Sequence, residues 1–189
     1  MSGSEDEEEL LSRVMLGHAM MFTLRGVPTI YYGDEQGFIS DGNDQLARED
    51  MFPSVTAVYN DNDLIGSDAT TAQDNFDTAH PLYQTIAALA EARKASPALR
   101  RGLTTVRAFD YEGPGLLAVE RHDPESGERL LIVFNTSDET ITRPVEVNYR
   151  ADAIAPLIGQ CPAELAAPGV ARVTLPAFGY ATCVLESED

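Results

Sequence analysis

Lysine is almost missing from this chain: its 13 basic residues include Lys94 as the sole lysine, 31 acids oppose them, and the formal charge at pH 7 is -18. A field of that sign repels phosphate backbones and anionic lipid surfaces, and no basic patch interrupts it, so neither nucleic acid nor a membrane is expected as a partner. A neutral or cationic ligand suits it better. Long apolar runs are also lacking. None approaches the roughly 18 residues that cross a bilayer, and the acidic start MSGSEDEEELL is the opposite of a signal or transit peptide. Cysteine is scarce: Cys161 and Cys183 form no C-x-x-C pair and no Cys/His cluster, which argues against a zinc site. They make either one disulfide, if their strands are neighbours, or two buried thiols. The acidic stretch YNDNDLIGSD lacks the glycine and the glutamate of a calcium loop and reads as turns. No metal and no cofactor is expected.

What is present supports a real core, since 43% of the 189 residues are apolar, enough for one medium domain or two small ones. Ser4 followed by Glu7 reads as a capping box. Beyond it Leu10, Leu11, Val14, Met15, Met20, Met21 and Leu24 recur at helical spacing, widening from one face to nearly all round. After Arg25 and Gly26, VPTIYY is β-branched and aromatic, with Pro28 near its start, and predicts a strand buried on both faces. From Gly33 to about Thr78 the pattern dissolves into a polar loop, a length that usually marks function or disorder. HPLYQTIAALAEARKA restores helical spacing through Leu82, Ile86, Leu89 and Ala90, with Pro81 in the first turn and Pro97 closing it. Near Ala98 the texture changes to short β-type runs, TTVRAF, GLLAVER, RLLIVFN, PVEVNY, ARVTL and GYATCVL, separated by turn-formers, with DPESG as a hairpin. An antiparallel sandwich is the natural reading.

One helix, one doubly buried strand and one helix cannot close a core, because a parallel strand needs neighbours on both edges to satisfy its backbone. The first half therefore reads as the end of something larger. RGVPTIYYGDEQG, Arg25 to Gly37, resembles the segment around the eighth barrel strand of the α-amylase family, glycoside hydrolase family 13, with Gly26, Pro28, Tyr31, Tyr32, Gly33, Asp34, Glu35 and Gly37 fitting its pattern. The likeness extends from about Glu8 to Leu185. It implies residues 1–97 as the terminal helix, strand, loop and helix of a (β/α)8 barrel, and 98–189 as a C-terminal antiparallel β-sandwich.

The resemblance also implies retaining chemistry by an Asp nucleophile, a Glu acid/base and a stabilising Asp preceded by His, all before the point where this chain takes up the pattern. Its one His-Asp pair, His122-Asp123, falls at the sandwich hairpin. Asp34 and Glu35 do not replace the missing acids: retaining cleavage needs carboxyls about 5–5.5 Å apart on one bond, whereas neighbours in an extended segment point oppositely. They are expected to bond backbone amides or an arginine. In NDQLARED, Asp44 and Arg48 match a family pair that contacts glucose units. A carboxylate and a guanidinium can chelate vicinal hydroxyls, although the same spacing also makes an ordinary ion pair one helical turn apart. Tyr31 and Tyr32 are expected in the core, with hydroxyls satisfied.

Three functions are compatible with these features. In order of preference they are the C-terminal part of a retaining α-glucan hydrolase or transglycosylase, inactive alone; a non-catalytic carbohydrate-binding or interaction module; and a subunit completing a separately encoded barrel. The expected ligand is an α-glucan or maltooligosaccharide, and a second copy or the missing barrel would cover Val27–Tyr32.

Overall fold

The computed structural model describes residues 4–39, 43–148 and 150–187. Helix α1 (Ser4–Thr23) is followed by 3₁₀ turns at Asp34–Gln36 and Ala57–Tyr59, then α2 (Pro81–Ala95) and α3 (Pro97–Arg101). Strands β1 (Leu103–Phe109), β2 (Leu116–His122), β3 (Arg129–Asn135), β4 (Ile141–Glu146), β5 (Ala153–Ile158), β6 (Ala163–Ala167), β7 (Val170–Leu175) and β8 (Tyr180–Glu186) complete the order. The chain divides into two compact units, one of residues 1–15 and 28–87, the other of 16–27 and 88–189.

In the second unit the strands pair antiparallel into a five-stranded sheet, β1-β2-β3-β8-β5, and a three-stranded sheet, β4-β7-β6. The expected hairpin at Asp123–Gly127 joins β2 to β3, with Leu116 opposite Asn135 and His122 opposite Arg129. Because side chains alternate across a strand, Leu116, Ala118, Leu131, Val133, Ala181, Cys183 and Leu185 share one face and pack with Ile141, Val145, Ala171, Val173 and Leu175 of the smaller sheet. Each large aliphatic side chain buried there contributes on the order of 1.5–3 kcal/mol. The residues between them, Val119, Arg121, Leu130, Ile132 and Phe134, are buried as well. Covering on both faces is why RLLIVFN reads as an unbroken apolar run.

Arg121 sits on that second face, 1% exposed. Its Nη1 donates to the Thr23 carbonyl at 3.0 Å and its Nη2 to the Leu99 carbonyl at 3.4 Å. Arg93 donates to the carbonyls of Phe22 and Gly26. The last carbonyls of a helix have no partner within it and carry partial negative charge, so the two guanidinium groups close the end of α1. Burial lowers both arginine pKa values, and for Arg121 the neighbouring charges of Arg93 and Arg25 add to the effect.

Three features depart from the sequence reading. Strand β4 lies three residues earlier than PVEVNY. Strands β5 and β6 were not legible; both are edge strands, β5 carrying Pro156 beside an irregular register and β6 made of the helix-favouring AELAA. Residues 27–32, expected as a doubly buried strand, form no ladder: Val27 is 90% exposed, and Tyr31 and Tyr32 are about half exposed. Strand geometry persists only where a neighbour accepts its hydrogen bonds, and no described strand does so. Helix α1 ends at Thr23, just before the expected break at Arg25 and Gly26, while its expected capping box at Ser4 lies outside the described side chains.

The sulfur pairing, open from the sequence, is a Cys161–Cys183 disulfide with Cα atoms 5.6 Å apart. It ties β8 of the large sheet to the segment entering β6 of the small one. Closing a loop of sequence separation 22 restricts the unfolded chain by about 3 kcal/mol. Chemical denaturation with and without a thiol reductant should show a loss of that order, and identical unfolding midpoints would contradict it.

Candidate glucan-contact surface

The stretch after Tyr31 turns sharply because glycine permits it. Gly33 (φ 93°) and Gly37 (φ 72°) flank the 3₁₀ turn Asp34–Gln36, both in the left-handed region. A Cβ on Gly37 would stand 2.3 Å from the Ile65 carbonyl oxygen, so the position is closed sterically as well as conformationally. Inside the turn both acids fold back on the main chain. Tyr31 N–H donates to Asp34 Oδ2 at 3.0 Å, and Gly33 N–H donates to Glu35 Oε2 at 3.0 Å. The two carboxylates thus hold separate backbone amides, the structural role expected of them.

Gln36, which the sequence reading passed over, links the ends of the long loop. Its side chain is buried; Nε2 donates to the Asp77 carbonyl at 3.0 Å and Oε1 accepts from the Asp77 N–H at 2.9 Å. One amide side chain thereby acts as a strand would, pairing both backbone groups of a residue 41 positions away. Between these ends, polar side chains take the place of secondary structure. Asn75 Nδ2 donates to the carbonyls of Thr70 and Gln73, Thr71 Oγ1 to that of Tyr59, and Asn60 Nδ2 to that of Ser54. A neutral amide in a polar loop gives no periodic signal, so nothing in the sequence distinguished Gln36 or Asn75 from solvated neighbours.

Asp44 and Arg48 lie on a turn whose first residue, Asn43, accepts from the N–H groups of Gln45 (3.0 Å) and Leu46 (3.2 Å) through Oδ1. Arg48 Nη2 stands 3.7 Å from Asp44 Oδ2, and the side chains are 64% and 85% exposed. Such a loose exposed pair adds little stability, so both heads remain accessible. Tyr59 connects this turn to the tyrosines. Its hydroxyl donates to the Gln45 carbonyl at 3.5 Å, and it acts electrostatically on Tyr32, whose hydroxyl pKa is raised by desolvation and by Tyr31, Asp50 and Tyr59. The Tyr31 and Tyr32 rings lie 4.6 Å apart and exposed, a correction to their expected burial that follows from the missing ladder.

His80 precedes α2 and caps it. Its Nδ1 accepts from the Leu82 N–H at 3.2 Å, which places the proton of the neutral ring on Nε2. Burial lowers its pKa, and the Ile65 carbonyl and Asp77 offset only part of that. Asp123, of the one His-Asp pair, is committed elsewhere. Ser126 and then Arg101 hold its carboxyl down to about 2. Among the described residues no three His, Cys, Asp or Glu side chains are grouped to hold a metal ion, and no helix is long and apolar enough to cross a membrane.

No protein-family model matches the chain. An α-amylase of Streptomyces lividans is 47% identical over 131 residues, covering 69% of this chain and 14% of that protein. A cyclomaltodextrinase of Geobacillus thermopakistaniensis is 28% identical over 193 residues, covering 98% of this chain and 28% of its own length. Among solved structures, AmyP in complex with maltose shares the fold with a TM-score of 0.66 at 18% identity, covering 100% of this chain and 37% of that one. An Anoxybacillus α-amylase aligns with a TM-score of 0.62 at 20% identity, covering 95% and 33%. The chain belongs to the α-amylase family, glycoside hydrolase family 13, and corresponds to a C-terminal portion of its members. It spans less than a third of the length of either of these curated relatives.

Two outcomes test the scaffold. Gln36→Leu leaves two Asp77 backbone groups without partners and should cost about 2 kcal/mol, read as faster amide exchange through residues 37–77. For His80, the folded pKa lies below the ordinary 6.5, so the fold favours the neutral ring. Its stabilisation is complete above that value and is lost as pH falls through it towards the folded pKa. His80→Asn, which retains a capping acceptor, should flatten this acid-side decline in thermal stability; an unchanged pH profile would reject the assignment.

Proposed function

We propose that this chain is the C-terminal portion of a retaining enzyme acting on α-glucans, by hydrolysis or transglycosylation. In this reading residues 1–97 are the last segment of its barrel and 98–189 its sandwich domain. The chain contributes glucan contacts and no bond-breaking carboxylate, and is inactive by itself. Support comes from the family relationship and from one observation above all: Asp34 and Glu35 are engaged by backbone amides, while Asp44 and Arg48 stand exposed on a capped turn next to Tyr59. A carboxylate that accepts and a guanidinium that donates can chelate two adjacent sugar hydroxyls. The exposed Tyr31 and Tyr32 rings offer apolar faces to the pyranose C–H surface. Neither interaction requires a charged ligand, which agrees with a chain of charge -18.

A second reading, completion of a separate barrel, draws on the exposure of Val27, Tyr31 and Tyr32. An exposed apolar segment outside any ladder invites association, either with barrel strands or with a second copy of the chain. Use of the Asp44 turn as a carbohydrate-binding module without cleavage is the remaining alternative, and the same measurements separate the three.

The isolated chain should release no reducing sugar from starch or maltooligosaccharides. It should bind maltoheptaose, and Asp44→Ala or Arg48→Ala should weaken that binding about tenfold, the order of one charge-assisted hydrogen bond. Turnover abolished by Asp34→Asn or Glu35→Gln would refute the structural role of these acids. Complex formation with a barrel lacking its last strand, with recovered activity, would favour the second reading.

A further inference from the structure

The β1–β2 connection carries an open cleft of about 410 Å³ lined by Phe109, Asp110, Tyr111, Glu112 and Arg143 among others, within the size range of small-ligand sites. Its base is fixed. Asp110 Oδ2 accepts from the Leu116 N–H at 2.9 Å, the Asp110 N–H returns to the Leu116 carbonyl at 2.9 Å, and Gly115 N–H donates to Thr136 Oγ1 at 2.9 Å. A Cβ at Gly115 would meet Asp110 Oδ2 at 2.2 Å, so the close approach that sets this base requires glycine.

Above the fixed base the ligand-recognising groups are left free. Tyr111 is 82% exposed and Phe109 62%, an aromatic pair whose exposure no packing within the second unit explains. The Arg143 guanidinium makes one hydrogen bond, to the Thr142 carbonyl at 3.2 Å, and no ion pair among the described residues. Rings for apolar contact, a guanidinium to donate and the Glu112 carboxylate to accept are the elements that bind a neutral polyol. The strongly acidic chain disfavours a phosphate ligand, and the Arg143 guanidinium in the cleft disfavours a polycation.

We propose that Phe109, Tyr111 and Arg143 form a glucan-binding platform on the sandwich, using residues separate from Asp44 and Arg48. The ligand class rests on the function proposed above; the geometry of the platform does not. The platform stacks one or two pyranose rings on the aromatic pair while Arg143 and Glu112 bond their hydroxyls, and the openness of the cleft lets a longer chain continue past it.

Calorimetric titration of the full chain with maltoheptaose provides the test. In an Asp44→Ala/Arg48→Ala background, binding should persist. Adding Tyr111→Ala should weaken it about tenfold, as expected for loss of a stacking surface, whereas Tyr111→Phe should retain it; Arg143→Ala should weaken it comparably. Tyr111 is so exposed that its truncation should not disturb folding, which circular dichroism checks. If Tyr111→Ala leaves all affinity intact while Asp44→Ala abolishes binding, the platform is rejected and the proposed function stands. If Tyr111→Ala alone abolishes binding, the platform stands and the role of Asp44 and Arg48 falls. Absence of any binding rejects both, and a Tyr111→Ala change that only converts a dimer to a monomer in sedimentation overturns the platform in favour of a self-interface.

Discussion

Every buried backbone N–H and C=O must find a partner, and the different parts of this chain meet that requirement by different means. In the sandwich, ladders supply the partners, and side-chain alternation follows from them. At the end of α1 there is no ladder, and Arg93 and Arg121 reach the final carbonyls instead. In the long loop, side-chain amides, hydroxyls and carboxylates take over, with Gln36 pairing both groups of Asp77. Residues 27–32 pair with no described strand; the Asp34 carboxylate holds the Tyr31 N–H, while Val27, Tyr31 and Tyr32 stay exposed. The accessible tyrosines of the candidate surface thus follow from a backbone that has no neighbouring strand among the described residues.

The same requirement explains what the sequence disclosed. Elements held by periodic patterns were readable: α1, α2, the β2–β3 hairpin and the central strands β3 and β8, where burial on one or both faces imposes an apolar rhythm. Strands β5 and β6 were hidden because an edge position tolerates Pro156 and a run such as AELAA, and only pairing with β8 and β7 makes them strands. The loop was visible as a loop, yet its order was not. Hydrogen bonds between Asn75 and Thr70, or Thr71 and Tyr59, depend on three-dimensional placement of residues whose types are ordinary in solvent-exposed turns.

At the candidate surface, residue types and spacing indicated Asp34, Glu35, Asp44 and Arg48, and structure separates them by what their oxygens already hold. Asp34 and Glu35 lie in the most recognisable motif of the chain, but they serve the turn between Gly33 and Gly37. The motif is therefore geometric in this chain: two left-handed glycines and two inward carboxylates bring Gln36 to Asp77 and Gly37 to Ile65. Gln36 carries as much of this architecture as its acidic neighbours, although an uncharged amide has no sequence signature that sets it apart.

A net charge of -18 implies an acidic surface, but many of its carboxylates are already engaged. Glu120 is buried between Arg107 and Arg129, Asp123 is held by Ser126 and Arg101, and Glu128 accepts from the Ser96 hydroxyl and the Ala98 N–H at the start of α3. A carboxylate with its lone pairs so occupied positions the fold and offers little to a ligand. In the proposed function, recognition falls to acids that stay exposed beside an arginine and an aromatic ring, the arrangement at Asp44 with Arg48 and Tyr59, and again at Glu112 with Arg143 and Tyr111. On that proposal the arginine in both places offsets the local negative charge while adding donors, which suits an uncharged, hydroxyl-rich partner.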